Sequence, residues 1–189
     1  MKRRLLLIVD PQIDFTDGSL TVEGGSEAMT KLAEYITTND GRYAVKIITA
    51  DRHPYDHCSF RDNGGSWPRH CVHDTVGAAI VPQLFNATYD TIGKTLVLHK
   101  GETTGKEEYS IFGNPEASEK IKNTIKECGI TDIDICGLAG DVCVLSTLSD
   151  ALKLFPECEF NVLTQFSPSI DGGKKLNDFI ERYNIKCDR

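Results

Sequence analysis

The stretch Arg4-Leu5-Leu6-Leu7-Ile8-Val9-Asp10 carries five apolar residues with no alternation and ends on an acid, which Pro11 follows at once. A strand with one face in water alternates apolar and polar side chains. A strand without alternation is buried on both faces, as inside a parallel sheet. That reading sets the architecture, because parallel strands need long crossovers, and these are usually helices. The rest of the chain supplies both kinds of segment in turn. Further strands are expected over 44–50, running into Asp51, and over 95–100, 132–137 and 159–164. Helical spacing joins Ala28, Leu32, Tyr35 and Ile36 behind a Ser26 cap. A short helix is expected over 78–85. Another starts at Asn114-Pro115, buries Ile121 and Ile125, and stops at Gly129. Val144, Leu145, Leu148, Ala151, Leu152 and Phe155 mark a fourth helix, and Leu176, Phe179, Ile180 and Tyr183 a fifth. The expected fold is one α/β domain over residues 1–189, a three-layer α/β/α arrangement with a mostly parallel central sheet of five to six strands.

Composition limits the function. The 189 residues are 40% hydrophobic and 26% charged, the profile of a globular domain able to bury its own core. The formal net charge is −7 and no basic run is present, which argues against a nucleic-acid partner. The apolar run behind Met1-Lys2-Arg3-Arg4 is too short for a signal-peptide core. Nothing approaches the roughly 18 apolar residues of a membrane span, so no membrane partner is expected. Seven cysteines, an odd number with no CxxC pair, suit reduced thiols and a cytoplasmic location.

Sites in open parallel sheets lie beyond the carboxyl ends of the strands, and the reactive residues of this chain cluster there. Asp10 closes the first strand, Asp51 and His53 follow the second, Lys100 closes the third, and Cys143 follows the fourth near a helix start. A free cysteine at such a junction is more often an apolar filler. A thiol in the first turn of a helix, however, feels the positive end of the dipole, which favours the thiolate, and nearby amides can hold an oxyanion. A nucleophile also needs a base and a leaving-group acid; Asp10 can serve as both, tuned by the Lys100 cation. Alone, Asp10 is an ordinary turn residue and Lys100 an ordinary strand-end charge, so the case rests on their joint placement. The second cluster is Asp51, His53, His57 and His70, around a loop over 51–76 rich in Gly, Pro, Asp and His. Residues 51 and 53 project to one side of a strand, and a carboxylate with two imidazoles leaves coordination positions open. His57 is a fourth ligand, a supporting partner or a loop-fixing residue; His73 and His99 are read as structural.

The motifs resemble those of the isochorismatase-like cysteine hydrolases, in family order from residue 10 to 144. Asp10-Pro11-Gln12-Ile13-Asp14-Phe15 is similar to the opening motif, and Gly137-Leu138-Ala139 through Cys143-Val144 to the nucleophile motif. Asp51-Arg52-His53-Pro54 with His57, Ser59 and Phe60, Trp67-Pro68-Arg69-His70-Cys71-Val72, and Lys100-Gly101 with Tyr109-Ser110 and Phe112 resemble segments of the nicotinamidase branch. The resemblance implies a catalytic triad of Asp10, Lys100 and Cys143. It also implies a cis bond between Leu138 and Ala139, oxyanion donors in the backbone N–H groups of Ala139 and Cys143, and aromatic walls at Phe15 and Trp67. One divalent ion is implied on Asp51, His53 and His70, zinc first, with iron or manganese also suited. Ile13 stands where the family has Asn, Arg52 where Trp is common, and Gly140 where Thr or Leu is common; Gly140 is expected to loosen the nucleophile turn.

The activity so implied is hydrolysis of nicotinamide, or of a related pyridine or pyrazine amide, to its acid and ammonia through a thioester, by a monomer or homo-oligomer. Three alternatives use fewer of these residues: a cysteine amidohydrolase for another small amide, a metal-centred oxygenase on Asp51, His53 and His70, and a non-enzymatic domain in which Cys143 senses oxidants.

Overall fold

The computed structural model describes residues 3–188; Met1, Lys2 and Arg189, which the domain expected over 1–189 includes, lie outside the described residues. The unalternating run becomes β1 (Arg4–Val9), buried at every residue after Arg4. With β2 (Val45–Asp51), β3 (Lys94–Lys100), β4 (Asp132–Gly137), β5 (Glu159–Leu163) and β6 (Lys186–Asp188) it forms one sheet in the order β3-β2-β1-β4-β5-β6. Every pairing is parallel. The helices are α1 (Ile13–Thr16), α2 (Gly25–Thr38), α3 (Pro82–Asp90), α4 (Pro115–Cys128), α5 (Leu145–Leu154) and α6 (Lys174–Arg182).

Side-chain alternation along β1 feeds two separate cores. Leu5, Leu7 and Val9 pack with Ile121 and Ile125 of α4, Leu148 and Ala151 of α5, and Leu176 and Ile180 of α6. Leu6 and Ile8 pack with Met29 and Leu32 of α2 and Leu84 of α3. The sheet is thus covered on both faces, as its apolar strands require. From β1 the chain adds β2 and β3 on one side, then returns to add β4, β5 and β6 on the other. The carboxyl ends of β1 and β4 therefore flank the point where strand order reverses, the usual place for a crevice.

Several boundaries differ from the sequence reading. The helix read behind Ser26 starts at Gly25, with Gly24 in a left-handed conformation as its cap. Ser26 Oγ donates instead to Asp17 Oδ2 at 3.2 Å. The helix expected over 78–85 begins at Pro82, because proline suits the first helical position. The preceding residues form a turn and a single bridge that brace the opening motif, through Ile13 N–H to Ala79 O at 2.9 Å and the pairing of Gln12 with Ile80. The sixth strand was not assigned, since three residues carry no periodicity. It is fixed by the Lys186–Glu159 ion pair at 2.6 Å and by Thr164 Oγ1 donating to Asp188 O at 2.8 Å.

The α4 start agrees with expectation. Asn114 caps it, its side-chain oxygen accepting from Glu116 N–H at 3.0 Å and Ala117 N–H at 3.2 Å, and Gly129 closes it in a left-handed conformation. Asn114 Nδ2 also donates to His99 O at 3.1 Å. Replacing Asn114 with Ala should cost about 1 kcal/mol or slightly more and lower the midpoint of thermal unfolding by roughly 2–4 °C. Differential scanning calorimetry measures this; an unchanged midpoint would show the cap to be dispensable.

Candidate active site and metal centre

Four strand ends deliver the reactive side chains to one buried cluster. Asp10 follows β1 at a positive φ of 46°, a region that Asp tolerates better than most residues. Its amide donates to Thr49 O at 3.1 Å, and Thr49 Oγ1 donates to Asp10 Oδ1 at 2.7 Å. Lys100, at the end of β3, places Nζ 2.9 Å from Asp10 Oδ2, 2.5 Å from Asp51 Oδ1 and 3.7 Å from Cys143 Sγ. All four side chains are buried. Asp10 Oδ2 has the ammonium beside it but no hydrogen bond of good geometry, so it keeps a lone pair for a proton.

The electrostatics follow from this packing. Burial raises the Asp10 carboxyl, the Lys100 charge lowers it, and the net direction is upward. Burial also acts to raise Asp51, but Lys100 and His53 prevail and hold it far below the carboxylate range. Burial alone would strip the Lys100 proton; the carboxylates of Asp10 and Asp51 reverse that and keep an ammonium. Cys143 corrects the sequence reading. Its thiol is pushed well up, by burial first and by Asp10 and Asp51 next, against the pull of Lys100. The helix dipole does not leave a resting thiolate, and the local structure differs too. Gly140–Val144 form a π-helical turn, and α5 begins only at Leu145. Single π turns of this kind often mark functional sites.

The expected cis bond is present between Leu138 and Ala139. Around it, Leu138 N–H donates to Val9 O, Gly140 N–H to Pro168 O, and Val142 and Val144 N–H to Ala139 O. The amides of Ala139 and Cys143 make no such turn or loop bond among the described residues. Gly140 does not loosen this turn. A Cβ at 140 would collide with Ser169 Oγ and Ser167 O, so glycine lets the segment after β5 press against the nucleophile loop. Asp141 Oδ1 reinforces the contact by accepting from Ile170 N–H at 2.9 Å.

Asp51, His53 and His70 also converge, with ligand-capable atoms all within 4.8 Å of one another. The tautomers are set by backbone carbonyls. His53 Nδ1 donates to Gly101 O at 2.9 Å and His70 Nδ1 to Pro68 O at 2.8 Å, so Nε2 is the atom each ring can offer to an ion; that of His53 lies 3.6 Å from Asp51 Oδ2. One carboxylate and two such imidazoles suit a divalent ion with open positions. The two carboxylates and one ammonium leave this buried centre with one net negative charge, a setting that favours a cation beside Asp51. His57, which lies within ligand reach of His53 and Glu107, has both ring nitrogens engaged by neighbours. Its Nε2 donates to Lys106 O at 3.0 Å, and its Nδ1 meets Ser59 Oγ at 2.7 Å. Its ring stacks on His53, with centroids 4.1 Å apart. Arg52 turns outward, to Glu102 at 3.2 Å and Asp74 at 3.5 Å.

Cys143, Ala139, Asp51 and His70 open onto a tight, mainly apolar cleft with about 30 Å³ of free space. Phe15 and Trp67 line it as expected, and Leu20, Val22, Tyr109 and Ile170 complete its apolar walls. Trp67 Nε1 donates to Tyr109 Oη at 3.1 Å.

Sequence reasoning missed three supports. Gln12 ties β1 to β2, with Nε2 donating to Asp51 O and Ala78 O, and Oε1 accepting from Asp51 N–H, each at 2.8 Å. Asp14 Oδ2 accepts from Cys71 N–H at 2.7 Å, next to His70. Glu108 Oε2 accepts from Gly101 N–H at 2.9 Å, holding the turn whose carbonyl orients His53. At Gly101 φ is +70°, and any Cβ there would strike the His53 ring. Gln12 and Asp14 lie inside a quoted motif and were open to notice; Glu108 had no signal.

Residues 4–154 match the model of the isochorismatase domain. The chain is 37% identical over 155 residues to the nicotinamidase/pyrazinamidase of Mycobacterium tuberculosis, covering 79% of each protein. The structure of Pyrococcus horikoshii pyrazinamidase in complex with zinc is similar with a TM-score of 0.81, 30% identity and 99% coverage of both chains. That of L. infantum PnC1 in complex with nicotinate gives a TM-score of 0.84 and 25% identity, over 100% of this chain and 93% of that one.

The close fit at Gly140 is testable. Gly140→Thr should destabilise the fold by about 1–3 kcal/mol through overpacking and change the alkylation rate of Cys143. If thermal unfolding and alkylation both match the parent, the segment after β5 yields freely and the contact is incidental.

Proposed function

The chain belongs to the isochorismatase domain family, and from that premise we propose that it hydrolyses nicotinamide to nicotinate and ammonia through a thioester on Cys143. The observation that carries the reading is the meeting of thiol, carboxylate and ammonium at one end of an apolar pocket whose other end holds Asp51, His53 and His70. A relative named for this activity and a similar protein solved with nicotinate support the substrate. The oxygenase and redox-sensor alternatives leave the contacts among Lys100, Asp10 and Cys143 unused.

A planar pyridine ring fits between Phe15 and Trp67 with its carboxamide toward Cys143. The thiol rests protonated, so its proton must leave as the bond to carbon forms. Asp10 Oδ2, buried and poised above the usual carboxylate range, is the acceptor. The sulfur attacks the carboxamide carbon, and the backbone N–H groups of Ala139 and Cys143 hold the oxygen that becomes negative. Lys100 keeps its proton throughout and stabilises the charge passing between sulfur and Asp10. Asp10 then gives the proton to the departing nitrogen; ammonia leaves and a nicotinoyl thioester remains. Next Asp10 takes a proton from water, whose oxygen attacks the thioester carbon. Nicotinate is released and the proton returns to sulfur. The burial of Asp10 suits it to this alternation of base and acid.

Asp51, His53 and His70 would hold the divalent ion, and we assign it as zinc, supported by the zinc complex of the similar pyrazinamidase. When bound, such an ion supplies a Lewis-acid position for a ring nitrogen or a water molecule. Seven free thiols support a cytoplasmic setting for the enzyme.

Cys143→Ala should lower ammonia release from nicotinamide by about 10⁴-fold or more while leaving the metal content of the protein unchanged. Turnover at a comparable rate by that variant would exclude the thioester route. His70→Ala should weaken zinc affinity by about 100-fold or more, measured by competition with a chromogenic chelator. Chelated parent protein should lose ammonia release and regain it on adding zinc. Parent-like zinc affinity in the variant would place the ion elsewhere.

A further inference from the structure

The two edges of the sheet are built differently. β6, at one edge, is three residues long and charged at both ends, features that discourage pairing with another chain. β3, at the other edge, has seven residues, no proline, and a half-exposed run Thr95-Leu96-Val97-Leu98. Lys94 N–H donates to Ala44 O, and Lys100 O accepts from Arg52 N–H, so the even-numbered residues of β3 bond toward β2. The two-residue period of a strand turns the peptide groups of Thr95, Val97 and His99 outward. Asn114 Nδ2 covers His99 O; the outward groups of Thr95 and Val97 have no backbone partner among the described residues.

An apolar stripe runs beside this edge. Along α3, Leu84, Ala87 and Thr88 are buried. Gln83, on one flank, reaches Thr30 of α2 at 3.3 Å. Helical geometry at about 100° per residue puts Phe85 and Tyr89 on the flank opposite Gln83; Ile92 follows the helix, in the turn that leads into β3, where its N–H donates to Asp40 Oδ1 at 2.6 Å. The exposures of Phe85, Tyr89 and Ile92 are 37%, 53% and 71%, and the rings of Phe85 and Tyr89 stack with centroids 4.6 Å apart.

We propose that the β3 edge and the exposed flank of α3 form the interface of a two-fold homodimer, in which the β3 strands of two copies pair antiparallel about Val97. This inference does not rest on the catalytic reading. A second copy fits because the surface complements itself under that operation. With the axis perpendicular to the sheet, the two α3 flanks lie on the same face and meet. Lys94, exposed at the start of β3, shares the opposite face with Leu96 and Leu98, which pack toward α4. There it approaches the far end of the other strand, where Glu102, Glu116 and Glu119 outnumber Lys120 in a groove. Thr95 stands opposite His99, and Val97 opposite its own copy, so the outward groups acquire partners.

Sedimentation velocity of the full chain at micromolar concentrations should show a dimer. The double variant Tyr89→Glu with Ile92→Glu changes only exposed side chains. It should raise the dimer dissociation constant by about 30-fold or more, as loss of a hot-spot contact does, with ammonia release per chain unchanged. Hydrogen exchange at the Val97 amide should slow as protein concentration rises. A wild-type chain that sediments as a monomer would overturn the proposal. So would a double variant that stays dimeric, or a dimer whose Val97 amide exchanges independently of concentration.

Discussion

The Lys100 ammonium is the interaction on which the site depends. It lies fully buried at the end of β3, between Asp10 and Asp51 and within 3.7 Å of Cys143. Burying three charges costs several kcal/mol per ion, and only close pairing repays it. No member of the group can be removed without leaving another charge uncompensated. The same ammonium contacts a carboxylate of the proposed triad and a carboxylate of the proposed metal set, so the two halves form one electrostatic unit. Burial first, and the two carboxylates next, push the Cys143 thiol upward against the pull of this one cation.

Topology brings the unit together. Strand order reverses between β1 and β4, so the turns after these strands diverge and open a crevice at their carboxyl ends. β1 and β4 contribute Asp10 and the Cys143 loop to that crevice, while β2 and β3 contribute Asp51 and Lys100 in direct register. Gln12 spans the gap between β1 and β2, and His57 and Glu108 brace His53 from the loop side. In His53 and His70 the nitrogen offered to the proposed ion is Nε2, because Nδ1 of each ring is tied to a backbone carbonyl.

Much of this was legible in the sequence, for physical reasons. The unalternating run at 4–10 can only be satisfied between two layers, and the strand-end placement of Asp10, Asp51, Lys100 and Cys143 followed from parallel topology. Ser26 looked like a cap because its residue type suits one, yet Gly24 supplies the backbone conformation that ends the preceding loop. The thiol was misjudged because proximity to a helix start is visible in a sequence, whereas burial against two carboxylates is not. His57 could not be assigned from spacing, since ligand and brace differ only in which acceptors lie beyond the ring. Gly140 read as a weakness because the segment it accommodates lies 27 residues or more downstream, at Ser167 and Ser169.

That accommodation has a consequence for where the catalytic unit ends. The match to the isochorismatase domain model ends at residue 154, and every proposed reacting side chain lies before it. Yet the carbonyl of Pro168 receives the Gly140 amide, Ile170 anchors to Asp141 and walls the pocket, and β6 secures the strand from which this segment departs. A polypeptide truncated at residue 154 would keep every proposed reacting side chain and forfeit the mould that shapes them. The least conspicuous portion of the chain is thus a structural partner of its most reactive atom.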